Sequence, residues 1–501
     1  MSHRLRLAGA ALALVFVSWM AGRAGAATPP TDGAADSATV SRVLDLLRAA
    51  DATVCELAAR SLARSWGEYG PPTDDPRTMD ILRIQHDHAP APVLRAYRAA
   101  LRDPNRCVRN LAVREVADAD SSAFGLFLAL TTDPDPGFRE AGALGLGTLG
   151  EDRARAALTR TLADRDARVR ATSAWALGEL DDGDAVPALA AALRDDSAVV
   201  RRWAARSLGS IGVVSALTPL RHALGDPDAK VRRAAAWALG EIGEKAAVPA
   251  LAGALHDADA EVRSTAVWAL GQISDSSATP PLAGVLKDPD ARVRQMAAWA
   301  LGEVGDRSTV RPLSGALTDP DPDVRDVAAW ALGEVGDDAA AAPLAGALRD
   351  RSPDVRGMAA WALGEVGSEE GVAGLLGALK DSATDVRVTA AWALGEISSA
   401  GAVDGLKTAL SDPDSDVRET AAWALAQIDD DRAEQALAGF APGRETDRHR
   451  GPHPHPHPRP RLDWSGMPMP MPMPMPMPMP EPAVGRMRLH VHVPRVRVAP
   501  N

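Results

Sequence analysis

One short segment returns every 31 residues through most of this chain. Its clearest copy is Val231–Gly243, which ends Ala-Ala-Trp-Ala-Leu-Gly-Glu-Ile-Gly, and its tryptophan recurs at Trp268, Trp299, Trp330, Trp361, Trp392 and Trp423. An arginine recurs in the same register from Arg170 to Arg418, and an aspartate stands six residues before each. A fixed period between about 20 and 50 residues is typical of proteins built from stacked structural units. The period therefore predicts a repeat architecture before any other feature is considered.

Each unit has the pattern of two helices. In residues 244–274, Val248, Leu251 and Leu255 are spaced as on one helical face, and Pro249 falls in the first turn, where its missing N–H costs nothing. A polar break at 257–260 precedes a second apolar face that runs from Val262 to Ile273. Apolar residues do not alternate, so strands are not indicated. Neither helix buries its face alone, and the hairpins must therefore stack.

The recurrent aspartate and arginine have two interpretations. The favoured one is a structural ladder between neighbouring repeats, in which the aspartate also caps the second helix. The other is a row of arginines that binds an anionic ligand.

These residues resemble the HEAT-repeat family, in the short form named after phycobilisome lyases. The resemblance covers about residues 41–440. It implies an all-α fold, a right-handed α-solenoid of about twelve two-helix repeats, and it implies little about function.

The amino terminus resembles a secretory signal. Residues 1–26 have a basic start, a short apolar core and Ala24-Gly25-Ala26, which fits a cleavage site. Residues 27–40 are a linker, and residues 67–89 interrupt the period. We expect an exported protein, periplasmic or secreted, with no membrane span in the mature chain. An uncleaved anchor is the alternative.

Cys55 and Cys107 are the only two cysteines. Each lies at the start of a second helix in what would be the first two repeats. An even number of cysteines in an exported chain favours a disulfide, which would fasten the amino-terminal end of the stack. Two buried thiols are the alternative.

The tail has a different composition. Residues 441–485 form a low-complexity tail in which proline alternates with histidine at 451–458 and with methionine at 467–480. In residues 486–501, basic and apolar residues alternate as in a strand. Thioethers suit Cu(I) and imidazoles suit Cu(II), so a copper-binding tail is one hypothesis, and a low-complexity spacer is the other. The candidate ligands are His453, His455, His457, Met467, Met469, Met471 and Met473.

Recognition residues are expected where the repeats differ. The repeat 182–212 replaces the recurrent tryptophan by Arg206, and two variable positions of its second helix are Arg202 and Trp203. The tryptophan row itself is interpreted as packing between repeats. The candidate partner-binding residues on the second helices are Arg202, Trp203, Arg206, Arg233, Glu241, Gln295 and Glu303.

Charge favours a protein partner. The formal net charge is −12, and both the first 26 residues and the tail after Phe440 are basic, so the repeats are more acidic than the whole chain. An acidic surface repels nucleic acid and anionic lipid. We expect a protein partner with a basic segment.

No catalytic motif appears in the sequence. A phosphate-binding loop, G-x-S-x-G and H-E-x-x-H are all missing, and no small-molecule substrate is indicated. The resemblance implies two enzyme alternatives, the phycobilin lyases and deoxyhypusine hydroxylase. Export argues against the first, and the second requires His-Glu pairs, whereas His86, His222 and His256 are followed by Asp, Ala and Asp. A non-enzymatic exported scaffold is the favoured function, with metal handling as the second hypothesis.

Overall fold

The computed structural model describes residues 91–438 and six residues of a preceding helical segment, at 40, 41, 44, 45, 47 and 48. The expected signal, most of the linker, the insertion at 67–89 and the whole tail from 441 lie outside the described residues. The described residues all belong to a unit that spans Met1–Asp463, and the second unit, Trp464–Asn501, lies outside them.

Residues 91–438 form 23 α-helices, and no strand occurs among them. Eleven two-helix repeats are followed by a closing helix. The first helices are α1 (Ala91–Ala100), α3 (Phe124–Leu130), α5 (Arg155–Thr161), α7 (Val186–Ala192), α9 (Leu217–Ala223), α11 (Val248–Ala254), α13 (Thr279–Val285), α15 (Val310–Ala316), α17 (Ala341–Ala347), α19 (Val372–Ala378) and α21 (Val403–Ala409). The second helices are α2 (Arg106–Ala119), α4 (Pro136–Leu149), α6 (Ala167–Glu179), α8 (Ala198–Ile211), α10 (Ala229–Ile242), α12 (Ala260–Ile273), α14 (Ala291–Val304), α16 (Pro322–Val335), α18 (Pro353–Val366), α20 (Thr384–Ile397) and α22 (Ser415–Gln427), and α23 (Asp431–Ala438) closes the stack.

A single repeat shows why the pattern folds this way. A 3-10 turn at Lys245–Ala247 leads into α11, whose Val248 and Leu251 are buried and whose Pro249 occupies the first turn. After the polar break, the Asp259 side chain accepts hydrogen bonds from two backbone N–H groups at the start of α12. The preceding helix α10 ends at Gly243, whose φ of 71° is easily reached by glycine. The predicted hairpin of helices is confirmed.

The aspartate and arginine rows form a ladder between repeats. In each rung the guanidinium binds the aspartate of the next repeat: Arg232 Nε and Nη2 donate to Asp257 Oδ2 and Oδ1 at 2.6 and 2.7 Å. Arg232 Nη1 donates back to the Asp226 carbonyl of its own repeat at 2.9 Å. The same pair recurs from Arg139–Asp164 to Arg387–Asp412. The structural interpretation is confirmed, since these arginines are occupied within the stack.

The capping role expected of the ladder aspartate is wrong. Asp257 accepts the backbone N–H of Asp259 at 2.9 Å, and it is Asp259 that caps the helix. The cap falls two residues later because the helix begins at Ala260, which makes Asp259 and not Asp257 the N-cap residue. The residue equivalent to Asp259 is not acidic in every repeat. It is Ser197, Ser352 or Ala383 in three of them, and none of these three side chains caps its helix.

Stacking involves the second helices most closely. Consecutive second helices contact each other extensively, whereas consecutive first helices scarcely touch and contact mainly their own second helix. The stack is therefore tightest along the second helices.

Candidate partner-binding surface

The second helices expose one narrow stripe to solvent. On α10 the residues that face outward from the packing are Lys230, Arg233 and Glu241, with Trp237 between them in the same column. Their spacing of three to four residues places them on one helical face. Repetition every 31 residues carries this column across the stack, and we call the set of these four positions in all second helices the inner stripe.

The inner stripe is charged unevenly. Between α6 and α10 it carries Arg168, Arg202, Arg206, Lys230 and Arg233, against Glu179 and Glu241. From Glu303 onward its charged residues are all acidic. They are Glu303, Asp323, Asp326, Glu334, Asp354, Glu365, Asp385, Glu396, Asp416 and Glu419. The stripe therefore has a basic part over α6 to α10 and an acidic part from Glu303 onward, with Glu261 and Arg292 between them. Such a surface favours an extended partner with charges arranged in the opposite order.

The tryptophan row packs between neighbouring repeats. Trp268 is 2% exposed, and its Cζ3 lies 2.8 Å from where a Cβ on Gly240 would stand. Trp299, Trp361 and Trp392 approach the glycines of their preceding repeats in the same way. The recurrent Ala-Leu-Gly thus has a physical reason, because only glycine leaves room for the indole of the next repeat. The packing interpretation of the row is confirmed.

Arg206 is the one departure from this row between Trp175 and Trp423. Its guanidinium carbon lies 5.7 Å from the ring centroid of Trp203 and 5.1 Å from that of Trp237, and the guanidinium carbon of Arg202 lies 5.9 Å from the Trp203 ring. Such distances are typical of cation–π contacts. Burial lowers the pKa of Arg202, and the neighbouring Arg206 lowers it further. Three of the predicted residues thus form one basic, aromatic cluster.

Arg233 and Glu241 lie one repeat farther along. Arg233 Nη1 is 3.6 Å from Glu261 Oε2, and both side chains are about one-third exposed. Burial raises the pKa of Glu241, and the charge of Arg206 opposes this shift. The structure therefore brings Arg202, Arg206, Arg233 and Glu241 together on the inner stripe, and Trp203 lies beside it, next to Arg202 and Arg206.

The remaining two predicted residues differ from each other. Glu303 is exposed, but the surrounding helices displace part of the water around its carboxylate, and this desolvation raises the pKa of Glu303. The Glu334 carboxylate raises the pKa further, and a hydrogen bond from Trp299 lowers it. Gln295 is only 5% exposed. The structure therefore places Gln295 at the base of the stripe and not at its surface.

Sequence reasoning missed one column of the stripe. The position two residues before the ladder arginines is held by Arg168, Val199, Lys230, Glu261, Arg292, Asp323, Asp354, Asp385 and Asp416. All of these side chains except the half-buried Glu261 are exposed. The signal was present, since apart from Val199 and Glu261 this column changes from basic to acidic in the same direction as the column of Arg202 and Arg233.

Within the described residues, no group of three or more His, Cys, Asp or Glu side chains could hold a metal ion. No helix in the same part of the chain is long and apolar enough to cross a bilayer. The candidate metal ligands of the tail, from His453 to Met473, lie outside the described residues. Cys55 lies outside them too, so its disulfide with Cys107 stays a prediction.

The comparison with protein families agrees with this geometry. The family model for HEAT repeats matches nine overlapping segments between residues 96 and 450. The chain belongs to the HEAT-repeat family. The prediction of an all-α solenoid of this family is confirmed. Residues 91–438 contain eleven of the roughly twelve repeats expected. The first expected repeat lies almost wholly outside the described residues.

Solved structures show the same fold. Importin beta, in an ammonium sulfate condition, matches at 13% identity and a TM-score of 0.53, covering 80% of this chain and 64% of its own. Kap95p, from its complex with RanGDP, matches at 13% identity and a TM-score of 0.51, covering 78% and 67%. The complex of CpcE and CpcF of phycocyanin lyase from Nostoc sp. PCC7120 matches at 28% identity with a TM-score of 0.29, covering 44% and 92%. A search of curated protein sequences gave no match.

Proposed function

We propose that this HEAT solenoid is a non-enzymatic exported scaffold that binds a protein partner through the inner stripe. The observation that carries the proposal is the acidic half of the stripe, which begins at Glu303 near the end of α14 and continues over the four second helices α16, α18, α20 and α22. Packed helices are about 10 Å apart, so this half extends over roughly 40 Å. An extended segment of about 12 residues spans that distance.

The chemistry of the acidic half selects a basic segment. Glu303, Glu334, Glu365 and Glu396 occupy the same place in successive repeats, and all four are exposed. Lysine or arginine side chains of an extended segment would neutralise carboxylates that otherwise repel one another. An acidic surface of this kind disfavours nucleic acid, whose phosphates carry the same sign. The importin beta and Kap95p structures share the fold of this chain, and this shared fold is the only support that they give to a protein ligand.

Export and the absence of catalysis belong to the same proposal. Residues 1–26 support export through their basic start and apolar core. The missing catalytic motifs and the missing His-Glu pairs support a binding role. Copper handling by the tail is a second candidate, favoured by His453, His455 and His457 and by the seven Met-Pro pairs of residues 467–480.

The test replaces the four glutamates of the row, Glu303, Glu334, Glu365 and Glu396, by glutamine in the full chain. Gln272 and Gln427 already occupy this position in other repeats, so the variant should fold. The matched control removes four exposed acidic charges from first helices and 3-10 turns, by Asp152→Asn, Asp338→Asn, Glu370→Gln and Asp404→Asn.

Two measurements compare these variants. Binding of a fluorescein-labelled hexa-arginine peptide should weaken at least about tenfold in the glutamine variant and little in the control, and should weaken with salt in the wild type. Affinity capture from the envelope fraction should recover the same partner with the wild type and the control only. A partner that remains bound to the glutamine variant would contradict the proposal.

A further inference from the structure

The last four complete repeats each carry an exposed aspartate in the first turn of the second helix. We call these residues the aspartate column: Asp323, Asp354, Asp385 and Asp416. A negative charge in the first turn of a helix is favoured by the helix dipole. The same position nevertheless carries Arg168, Lys230 and Arg292 in three earlier repeats, so the formation of these helices does not require an acid. The column is therefore a property of this end of the surface.

The aspartate column is separate from the row of glutamates at 303, 334, 365 and 396. Packed helices are about 10 Å apart, so the four aspartates extend over roughly 30 Å. In α16, Glu334 follows Asp323 by eleven residues, which at a rise of 1.5 Å per residue is about 16 Å along the helix. The acidic half thus has two parallel lines of carboxylates, and a ligand that lies along the glutamates leaves the aspartate column uncovered.

The closing helix brings the chain back to the level of this column. α23 packs against α21 and α22, and Arg432 Nη2 donates to the Ala400 carbonyl at 3.1 Å, so α23 begins beside the turn that precedes α21. The two helices have eight and seven residues. α23 therefore ends near the level at which α21 ends, and there the chain turns into α22, whose first turn carries Asp416. The chain beyond Ala438 thus starts close to the aspartate column.

The sequence that follows α23 has the opposite charge. Residues 448–461, which lie outside the described residues, contain four arginines and four histidines and neither Asp nor Glu. Arg448 is ten residues beyond Ala438, and ten residues reach up to about 33 Å. The fourteen residues of the segment itself reach up to about 46 Å. Both lengths are sufficient for the arginines to follow the column from Asp416 to Asp323.

We propose that residues 448–461 of the same chain bind along the aspartate column. Guanidinium groups pair well with carboxylates, and although single ion pairs at exposed sites are weak, four of them act together here. The tether raises the effective concentration of the segment to the millimolar range. This inference goes beyond the proposed function, because the ligand belongs to the chain itself. A partner whose basic residues reach both lines of carboxylates must displace the segment, which makes the contact a brake on binding.

The test measures how tightly the full chain binds a fluorescein-labelled synthetic peptide of residues 448–461, by fluorescence anisotropy at physiological ionic strength. The test variant uncovers the column by Arg448→Gln, Arg450→Gln, Arg459→Gln and Arg461→Gln. It should bind the peptide about tenfold more tightly than the wild type, whose own segment competes. That gain should be lost when the column is also neutralised by Asp323→Asn, Asp354→Asn, Asp385→Asn and Asp416→Asn.

The matched control removes four exposed arginines on or next to the first helices, by Arg160→Gln, Arg194→Gln, Arg221→Gln and Arg311→Gln. It changes the net charge by the same amount, and at physiological salt distant charges are screened. Its affinity for the peptide should differ from that of the wild type by less than about twofold. The column position accepts basic residues in other repeats, so the asparagine variant should fold.

Three results would overturn the inference. Equal peptide binding by the wild type and the four-arginine variant would show that the segment does not cover the column, and an equal gain in the control would show that net charge alone decides. A dimer of the wild type that the four-arginine variant lacks, seen by sedimentation velocity, would place the segment on a second copy. The proposed function fails on a different result, partner capture that does not depend on the glutamate row, and this result would leave the inference intact.

Discussion

The glycine of the recurrent Ala-Leu-Gly segment offers a direct test of how closely the second helices pack. A Cβ added to Gly240 would lie 2.8 Å from Cα and Cβ of Ala269 and 2.8 Å from Cζ3 of Trp268. Carbon atoms in favourable contact are about 3.5–4.0 Å apart. Relief would require the next second helix or its buried indole to move, so Gly240→Ala should be destabilising even though alanine is the better helix former.

The magnitude follows from two opposing contributions. Replacing glycine by alanine inside a helix favours folding by about 1 kcal/mol, and overpacking a tight core costs about 1–3 kcal/mol. The backbone contact with Ala269 places Gly240→Ala at the upper part of that range, for a net loss of about 1–2 kcal/mol. Gly253→Ala is the matched control: it lies in α11, its Cβ would meet no atom within 4 Å, and it should gain up to about 1 kcal/mol.

The assay is urea unfolding followed by far-ultraviolet circular dichroism. The stability of a solenoid is close to a sum of repeat and interface contributions, so each substitution should act on its own repeat and shift the unfolding midpoint in its own direction. Gly240→Ala should lower the midpoint and Gly253→Ala should raise it. The reasoning would be refuted if Gly240→Ala stabilised the chain as much as Gly253→Ala, since the close approach of α10 and α12 would then not be rigid.

Three further predictions concern the ladder, pH and the tail. Asp288→Ala leaves the largely buried Arg263 without its partner and should cost about 2–4 kcal/mol in urea unfolding, whereas Arg292→Ala removes only exposed contacts and should cost less than about 1 kcal/mol. The hydrogen bond from Arg232 lowers the pKa of Asp257. The ladder therefore contributes its full stability above the unfolded pKa of about 4, and that stability should be lost as the pH falls through the lower folded pKa. The thermal unfolding midpoint should drop below about pH 4, and a constant midpoint there would contradict the ladder as a source of stability. Titration calorimetry with Cu(I) should show binding to the mature chain that is lost when it is truncated at Phe440, and equal heats from both proteins would leave the tail as a spacer.

The repeat period made most of the fold predictable. The local signals are the helical spacing of apolar residues, Pro249 in a first turn and the polar break before α12. Equivalent signals recur in most repeats, so they are not coincidental. The ladder between repeats followed from its register alone. The helix cap was misassigned because two aspartates, Asp257 and Asp259, stand two residues apart in the break, and only the geometry shows that the first binds Arg232 while the second caps.

The surface was harder to predict than the core. Gln295 and Arg233 hold the same repeat position, yet one is buried and the other half-buried, because the exposure of that position depends on the side chains beside it. The column of Asp323, Asp354 and Asp385 was overlooked for a different reason. Its residues look like ordinary first-turn acids, and their alignment into one stripe appears only when the second helices are stacked.

That stacking also explains how binding and stability are coupled. The 31-residue period sets Glu303, Glu334 and Glu365 one repeat apart, at about the 10 Å spacing of packed helices and close to the Debye length at physiological salt. Their repulsion is therefore only partly screened, and it accompanies the raised pKa of Glu303. A basic segment that neutralises the row would bind the folded solenoid and not the unfolded chain, which raises stability by an amount that grows with the logarithm of the segment's concentration above its Kd. The same carboxylates would thus lower the stability of the solenoid without a partner and raise its stability with one. Glu303→Gln should therefore stabilise the chain alone and reduce the further stabilisation that a basic peptide provides.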